Sequence, residues 1–449
     1  MTHDENYETI MMTSWLQQLR IYTQPQLLII LLLGMISGLP FLLTLSTLSF
    51  WLAESGVSKT TIGLFMLVSL PYSLKFLWAP FTDHFSLPFL TKRFGKRRSW
   101  ALLSQAGLLA SLIALAHCDP TEGIALIALS SFFVSFFSAS QDIIIDAYRI
   151  EILKAEYGGA GAALEAIGFR FGMLASGAGA LYIAHTFSWR TAYLTMGFGI
   201  ILGMILFCVI SEPKSKKLTA LSPNLKMSLR QWLHTLFIVP WIQLPKKREL
   251  IYLLAFIFCF KMGDTVLNAM CAPFLCDLGF SKIEFANITK VFGITLMVFG
   301  GLLGGVMIHR LGILQSTVMC VALQGISCLM YVIQSLVGYH LNVLIITVGV
   351  ESFCSGMVSA IFIAYISNFC RQPYTASHFT LLYSFGSFCR VIISALAGWS
   401  ADHIGWTPLF LLTGAFILPA IYVLIKLVQI GQESEQGFYH KPTTRAMGQ

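Results

Sequence analysis

The chain runs to 449 residues with a formal net charge of +8; 56% of its residues are hydrophobic and 11% are charged. No soluble domain of that length hides so much apolar surface, so a water-soluble fold is excluded. The positive balance reads as membrane topology and not as nucleic-acid affinity.

The hydrocarbon core of a bilayer is about 30 Å thick and takes about 20 mostly apolar residues per crossing. Stretches of that kind predict twelve spans, at 27–52, 60–82, 100–117, 123–146, 161–184, 191–211, 250–276, 285–308, 313–336, 340–366, 377–399 and 407–429. Backbone groups in lipid must be satisfied within their own segment, so the spans are helices and the fold is an all-α polytopic membrane protein. The segment before them, 1–26, is polar, carries Asp4, Glu5 and Glu8, and lacks the basic start and short apolar core of a cleaved signal. The first span is therefore expected to stay as an anchor, with Ser14 to Arg20 on the membrane surface.

Positive residues fall on alternate connections. Lys92, Arg93, Lys96, Arg97 and Arg98 follow span two, and Arg149 and Lys154 follow span four. The central connection holds Lys214, Lys216, Lys217, Lys226, Arg230, Lys246, Lys247 and Arg248, and Arg310 and Arg371 follow spans eight and ten. The opposite connections hold only Lys59, Arg190 and Lys282. This bias puts both termini in the cytoplasm. The ten cysteines show no CxxC pair or zinc series and read as small buried hydrophobes. No metal site or cofactor is expected.

The polar connection at 212–249 divides the chain into a six-helix half at 27–211 and a second at 250–429, with a tail at 430–449. Within the connection, Met227 to Trp241 has the mixed composition of an interfacial amphipathic helix. Six plus six spans around a basic linker resemble the plan of major facilitator superfamily transporters, whose halves are repeats about a cavity. Asp83 followed by Arg93-Phe94-Gly95-Lys96-Arg97-Arg98 is weakly echoed by His309-Arg310-Leu311-Gly312. In that superfamily such a loop latches the halves, which makes Asp83, Arg93, Arg97 and Arg98 the expected latch. Simple positive-inside charge is the plainer reading.

An ionisable side chain at the bilayer centre costs at least about 2.5–3.5 kcal/mol and usually faces a cavity or a partner. Lys75, Asp142, Asp146, Glu165 and Arg170 lie within spans of the first half, and Lys261, Asp264, Glu351 and Arg390 within spans of the second. At about 1.5 Å of rise per residue, Arg170, Lys261, Glu351 and Arg390 come near the midplane. Asp142 and Asp146 share a helix face with Arg149 one turn on, and Lys261 neighbours Asp264. Such charges either pair to hold helices together or serve a cargo bearing carboxylates. Tyr72, Trp78, Tyr148, Phe169 and Tyr365 offer stacking faces, though packing is the commoner role. Trp51, Trp189, Trp399 and Trp406 sit at span ends as expected interfacial anchors. Gly168-x3-Gly172 has the spacing that lets helices approach closely.

Several strings carry a closer resemblance. Ser37-Gly38-Leu39-Pro40, Leu70-Pro71-Tyr72-Ser73-Leu74-Lys75-Phe76-Leu77-Trp78-Ala79-Pro80, Ser138-Ala139-Ser140-Gln141-Asp142-Ile143, Asp146-Ala147-Tyr148-Arg149 and Gly168-Phe169-Arg170-Phe171-Gly172 resemble the AmpG-type muropeptide permeases. The likeness is specific from about Leu33 to Tyr193 and diffuse beyond, where mainly Lys261-Met262-Gly263-Asp264 matches. His84 and Gly158 depart from the pattern, in places where arginine is usual.

The resemblance implies import of N-acetylglucosaminyl-anhydro-N-acetylmuramyl peptides across the bacterial inner membrane, coupled to protons. Such import feeds peptidoglycan recycling and bears on β-lactamase induction. Lys75, Arg170, Lys261 and Arg390 would then receive substrate carboxylates, with Tyr72, Tyr148 and Gln141 beside them. Asp142, Asp146, Asp264, Glu351 and Glu165 would carry protons, and the protein would work as a monomer in the lipid bilayer. The same fold could instead carry another anionic solute, such as an acetyl-coenzyme A, a peptide or a siderophore. An enzyme acting on lipid-linked precursors is disfavoured, because no HExxH, GxSxG or aspartate-rich metal motif appears.

Overall fold

A computed structural model describes residues 24–121, 123–153, 158–213, 247–367, 369 and 375–439. The expected surface helices at 14–20 and 227–241 lie outside them. Among the described residues the regular structure is all helix, with no strand, and eleven helical stretches are long and apolar enough to cross a membrane.

The helices are α1 (Pro25–Gly38), α2 (Ser46–Glu54), α3 (Lys59–Phe65), α4 (Leu70–Leu74), α5 (Ala79–His84), α6 (Leu90–Phe94), α7 (Lys96–Ala116), α8 (Ile124–Ile152), α9 (Gly158–Leu174), α10 (Ala180–Thr186) and α11 (Trp189–Val209). The second half adds α12 (Lys247–Asp277), α13 (Lys282–Phe285), α14 (Gly293–Leu311), α15 (Ile313–Val337), α16 (Leu341–Ser367), α17 (Thr375–Ile404), α18 (Trp406–Ala415) and α19 (Ile417–Tyr439). Wide turns at Ala175–Gly179 and Ala286–Phe292 join α9 to α10 and α13 to α14. The second expected span differs from the others. It is a run of short pieces, α3, α4 and α5, with tight turns at Met66–Ser69 and Lys75–Leu77 between them. Pro71 and Pro80 open α4 and α5, and a proline supplies no N–H to the turn before it.

The chain forms two compact units. Unit 1 is Met1–Val57, Val68–Leu221 and Ser281–Lys290; unit 2 is Ser58–Leu67, Ser222–Phe280 and Val291–Gln449. In unit 1, Ile30, Leu33, Ala101, Ile144, Ile145, Tyr148 and Phe207 form a core. There α1 and α9 cross backbone to backbone. A Cβ on Gly168 would stand 2.1 Å from the Leu31 carbonyl oxygen, and one on Gly172 2.1 Å from that of Met35. Gly34 and Gly38 reciprocate, at 2.3 Å from Glu165 O and 2.1 Å from Phe169 O. The Gly168-x3-Gly172 spacing thus serves close approach, as expected.

Unit 2 has its own core of Leu253, Phe256, Ile257, Phe260, Ile361, Phe362 and Leu424. Gly300 on α14 and Gly356 on α16 make a second close crossing, each Cβ position 2.0 Å from a facing carbonyl oxygen. Val209 at 78%, Leu418 at 73% and Leu336 at 72% exposure carry apolar surface outward in the two units, as a lipid-facing protein must.

Candidate functional site

Unit 1 gathers five of its charges around α8. Asp142 and Asp146, four residues apart, project from one face of α8 toward α1 and the broken second span. Ser37 donates its hydroxyl to Asp142. Lys75 Nζ lies 3.9 Å from Asp146 Oδ2 and is within electrostatic reach of Asp142. Arg149 Nη2 donates to Asp146 Oδ1 at 3.2 Å, and its Nε lies 2.8 Å from Glu165 Oε2 on α9. Three carboxylates thus face two cations.

The sequence's i, i+3 pair, Asp146 with Arg149, is formed. The tie from Arg149 to Glu165 crosses between helices and no spacing could reveal it. Arg170, on the same helix as Glu165, is half-buried and engaged. The Tyr72 ring meets Phe41 edge-on at 5.4 Å, and Phe41 in turn tilts against Phe169 at 5.4 Å.

Other expected contacts are taken up by packing. Tyr148 is fully buried, edge-on to Phe207, and its hydroxyl donates to the Ser211 carbonyl at 2.9 Å. Gln141 is fully buried too, and its amide donates to Ile36 O at 3.2 Å. Trp78 donates to Ser140 Oγ at 3.0 Å, and Tyr365 stands between Phe256 and Phe369.

Unit 2 holds a second group. Ser355 Oγ donates to Asp264 Oδ1 at 2.5 Å, and Asn268 Nδ2 donates to the same atom at 3.1 Å and to Glu351 Oε1 at 3.4 Å. Ser352 Oγ completes the hold on Glu351 at 3.1 Å. Asp264 and Glu351 are thereby tied through Asn268, a residue that sequence analysis passes over. The Lys261 ammonium lies 4.3 Å from the Phe362 ring centroid, with Asp264 and Arg390 within electrostatic reach. In unit 1, Lys290, inside the eighth expected span, is a further cation missed in the sequence, 4.8 Å over the Phe285 ring of the same unit.

Three of the expected latch residues, Arg93, Arg97 and Arg98, make contacts within unit 1. Arg97 holds Glu151 with both Nε and Nη2, at 3.0 and 2.5 Å from Oε1, joining α7 to α8. Arg98 donates to the last carbonyls of α11, Phe207 O at 2.7 Å and Cys208 O at 2.5 Å. Glu212 accepts from the backbone N–H of Arg97 at 2.7 Å and Arg98 at 3.1 Å, which satisfies the start of α7. Gly95, at φ 88°, makes the turn into that helix. Arg93 lies over Phe94 at 5.5 Å. The Asp83 side chain lies outside the described residues. No group of three or more His, Cys, Asp or Glu among the described residues is arranged to hold a metal.

Residues 30–347 and 253–444 match the family model described as Major Facilitator Superfamily. This chain belongs to that superfamily, in its AmpG branch. It is 34% identical to the "Putative transporter AmpG 3" of Rickettsia prowazekii (strain Madrid E) over 90% of this chain and 97% of that protein. It is 32% identical to the "Anhydromuropeptide permease" of Escherichia coli (strain K12), over 91% of this chain and 81% of that one.

Two solved structures share the fold of this AmpG-branch chain. A peptide transporter POT superposes with a TM-score of 0.68 at 12% identity, covering 90% of this chain and 95% of that one. A D-xylose-proton symporter superposes with a TM-score of 0.64 at 13% identity, covering 88% and 96%. The protein is a multi-pass membrane transporter and not an enzyme.

Proposed function

We propose that this transporter imports anhydro-muropeptides across a bacterial inner membrane by proton symport, with both termini in the cytoplasm, and supplies peptidoglycan recycling. The observation that carries the cargo is its likeness to the anhydromuropeptide permease, 32% identical over 91% of the chain. The charge groups fit that cargo, a pair of sugar rings on an acidic peptide. Lys75 and Arg170 in unit 1 and Lys261 and Arg390 in unit 2 are the cations assigned to its carboxylates.

Charge balance supports the proton coupling. Lys75 and Arg149 face Asp142, Asp146 and Glu165, so one proton taken up makes that set neutral. Asp264 and Glu351 are the corresponding carriers in unit 2. Tyr148 and Gln141, the polar side chains proposed beside those cations, are fully buried, with their donors on Ser211 O and Ile36 O. The basic connections support the cytoplasmic placement of both ends.

The test is uptake of radiolabelled anhydro-muropeptide into transport-deficient cells, with and without a protonophore. Uptake that the protonophore abolishes supports cargo and coupling together. Uptake that survives it keeps the cargo and removes the proton role. Absent uptake by well-inserted protein overturns the cargo and turns the search to other anionic solutes.

A further inference from the structure

Two short segments sit where the chain passes between its units. Unit 2 takes in Ser58–Leu67, although the chain before and after belongs to unit 1, and unit 1 takes in Ser281–Lys290 in the converse way. The same three side chains fasten each segment. In unit 1, Lys282 Nζ lies 2.9 Å from Glu54 Oε1 and 5.1 Å from the Trp189 ring centroid, while Trp189 Nε1 donates to Glu54 Oε2 at 2.8 Å. In unit 2, Lys59 Nζ lies 2.8 Å from Asp277 Oδ2 and 4.6 Å from the Trp406 centroid, while Trp406 Nε1 donates to Asp277 Oδ2 at 3.0 Å. In each set, every member touches the other two.

The duplication is written in the chain as Glu54-Ser55-Gly56-Val57-Ser58-Lys59 and Asp277-Leu278-Gly279-Phe280-Ser281-Lys282. Gly56 and Gly279 turn with φ of 78° and 87°, a region that suits glycine. Ser58 and Ser281 then cap the following helices, accepting from Thr61 N at 3.2 Å and Glu284 N at 3.3 Å. Each lysine has a carboxylate five residues before it in its own turn, yet each pairs with the carboxylate of the other turn. The pairing is crosswise.

Further contacts seat the segments. On α3, a Cβ at Gly63 would stand 2.9 Å from Gly398 Cα, and Asp402 accepts from Thr60 N at 2.6 Å. In unit 1, Phe285 packs on Phe50 at 4.9 Å, and Tyr182 donates to Asn287. The ion pairs keep partial solvent contact, 25% and 41% for Lys59 and Asp277 and 15% and 40% for Lys282 and Glu54. Partly wet pairs of this kind bias a conformation without locking it.

We propose that these twin lysine–carboxylate–tryptophan sets are clasps that hold the conformation seen here and open once in every transport cycle. The segments they fasten are where the chain changes unit, so any rearrangement of one unit against the other has to move them. The charge bias assigns Lys59, Arg190 and Lys282 to the outer face, so opening the clasps is the step that admits cargo from outside. The inference rests on the chain being a transporter, and not on which cargo it carries.

The test reads hydrogen–deuterium exchange of the full chain in lipid nanodiscs, in peptides covering Ser58–Leu67 and Ser281–Lys290. The Lys59→Gln/Lys282→Gln variant is expected to exchange about tenfold faster in both segments, with α8 peptides unchanged. Charge exchange at one clasp, Lys59→Asp with Asp277→Lys, is expected to return most of the protection to Ser58–Leu67. A second variant, Lys59→Cys/Asp277→Cys, is joined by a reducible bifunctional thiol reagent in cells. Uptake of labelled anhydro-muropeptide should stop on joining and return on reduction. Unaltered exchange in the lysine variant, or full uptake by joined protein, overturns the proposal. If the native chain takes up no muropeptide, the cargo reading falls and the exchange result still decides the clasps.

Discussion

The crossing of α1 and α9 sets a sharp test of the fold, because its obstacle is backbone. In Gly168→Ala the new methyl would meet Leu31 O at 2.1 Å and Met35 N at 2.9 Å; in Gly172→Ala it would meet Met35 O at 2.1 Å and Leu39 N at 2.7 Å. Ordinary contact begins at 3.4 Å, and no rotamer change can move a carbonyl, so the helices must part by about 1 Å at that point. Overpacking of this kind costs about 1–3 kcal/mol, while alanine returns up to about 1 kcal/mol of helix propensity. The net expectation is a loss of about 1–2 kcal/mol for each substitution. Gly305→Ala is the control, since nothing lies within 4 Å of its Cβ position and only the propensity gain remains. Thermal unfolding followed by intrinsic fluorescence in detergent should place both α9 variants several degrees below the control. If Gly168→Ala melts with Gly305→Ala, the helices do not cross at this distance and the argument fails.

Three further outcomes follow from the charge groups. Arg149→Met leaves Asp146 and Glu165 facing each other without their shared cation and should cost about 1–3 kcal/mol, less than for a fully buried pair because Arg149 is 21% exposed. Adding Glu165→Gln should recover part of that loss in a double-mutant cycle. Glu212→Ala leaves the Arg97 and Arg98 N–H groups without their acceptor and should cost about 1 kcal/mol, seen as faster hydrogen exchange at the start of α7 and not at its end. Ser355→Ala removes the 2.5 Å donor to Asp264 and should cost about 1–2 kcal/mol of stability, read as a lower melting midpoint in detergent.

Local spacing carried what was legible. Span lengths and the alternation of basic loops lay open in the sequence because a bilayer demands both. The Asp146–Arg149 pair and the Gly168-x3-Gly172 contact lay open because three- and four-residue separations fix a helix face. In the second span hydropathy predicted one crossing at 60–82, where the chain instead forms short helices, two of them opened by Pro71 and Pro80. Partners on other helices were not legible. Glu165 for Arg149, Ser355 for Asp264 and Glu151 for Arg97 depend on which helices adjoin. Tyr148 shows the same gap from the other side, since a phenol that looks suited to a sugar ring finds a carbonyl within its own unit.

The tryptophans show how a sound rule can still hide a function. Residues at span ends usually anchor the protein at the headgroups, and Trp399, 52% exposed, fits that rule. Trp189 and Trp406 stand at equivalent span ends but spend their indole N–H groups on Glu54 and Asp277. Composition could not separate the two cases; a second copy of the same six-residue pattern could have. Even that pattern points to the wrong partner, because Glu54 lies five residues from Lys59 and Asp277 five from Lys282. Had each lysine closed on its own turn, the ion pairs would only stiffen two loops. Closed crosswise, each pair lies within one unit and holds there a segment whose neighbours in the chain belong to the other unit.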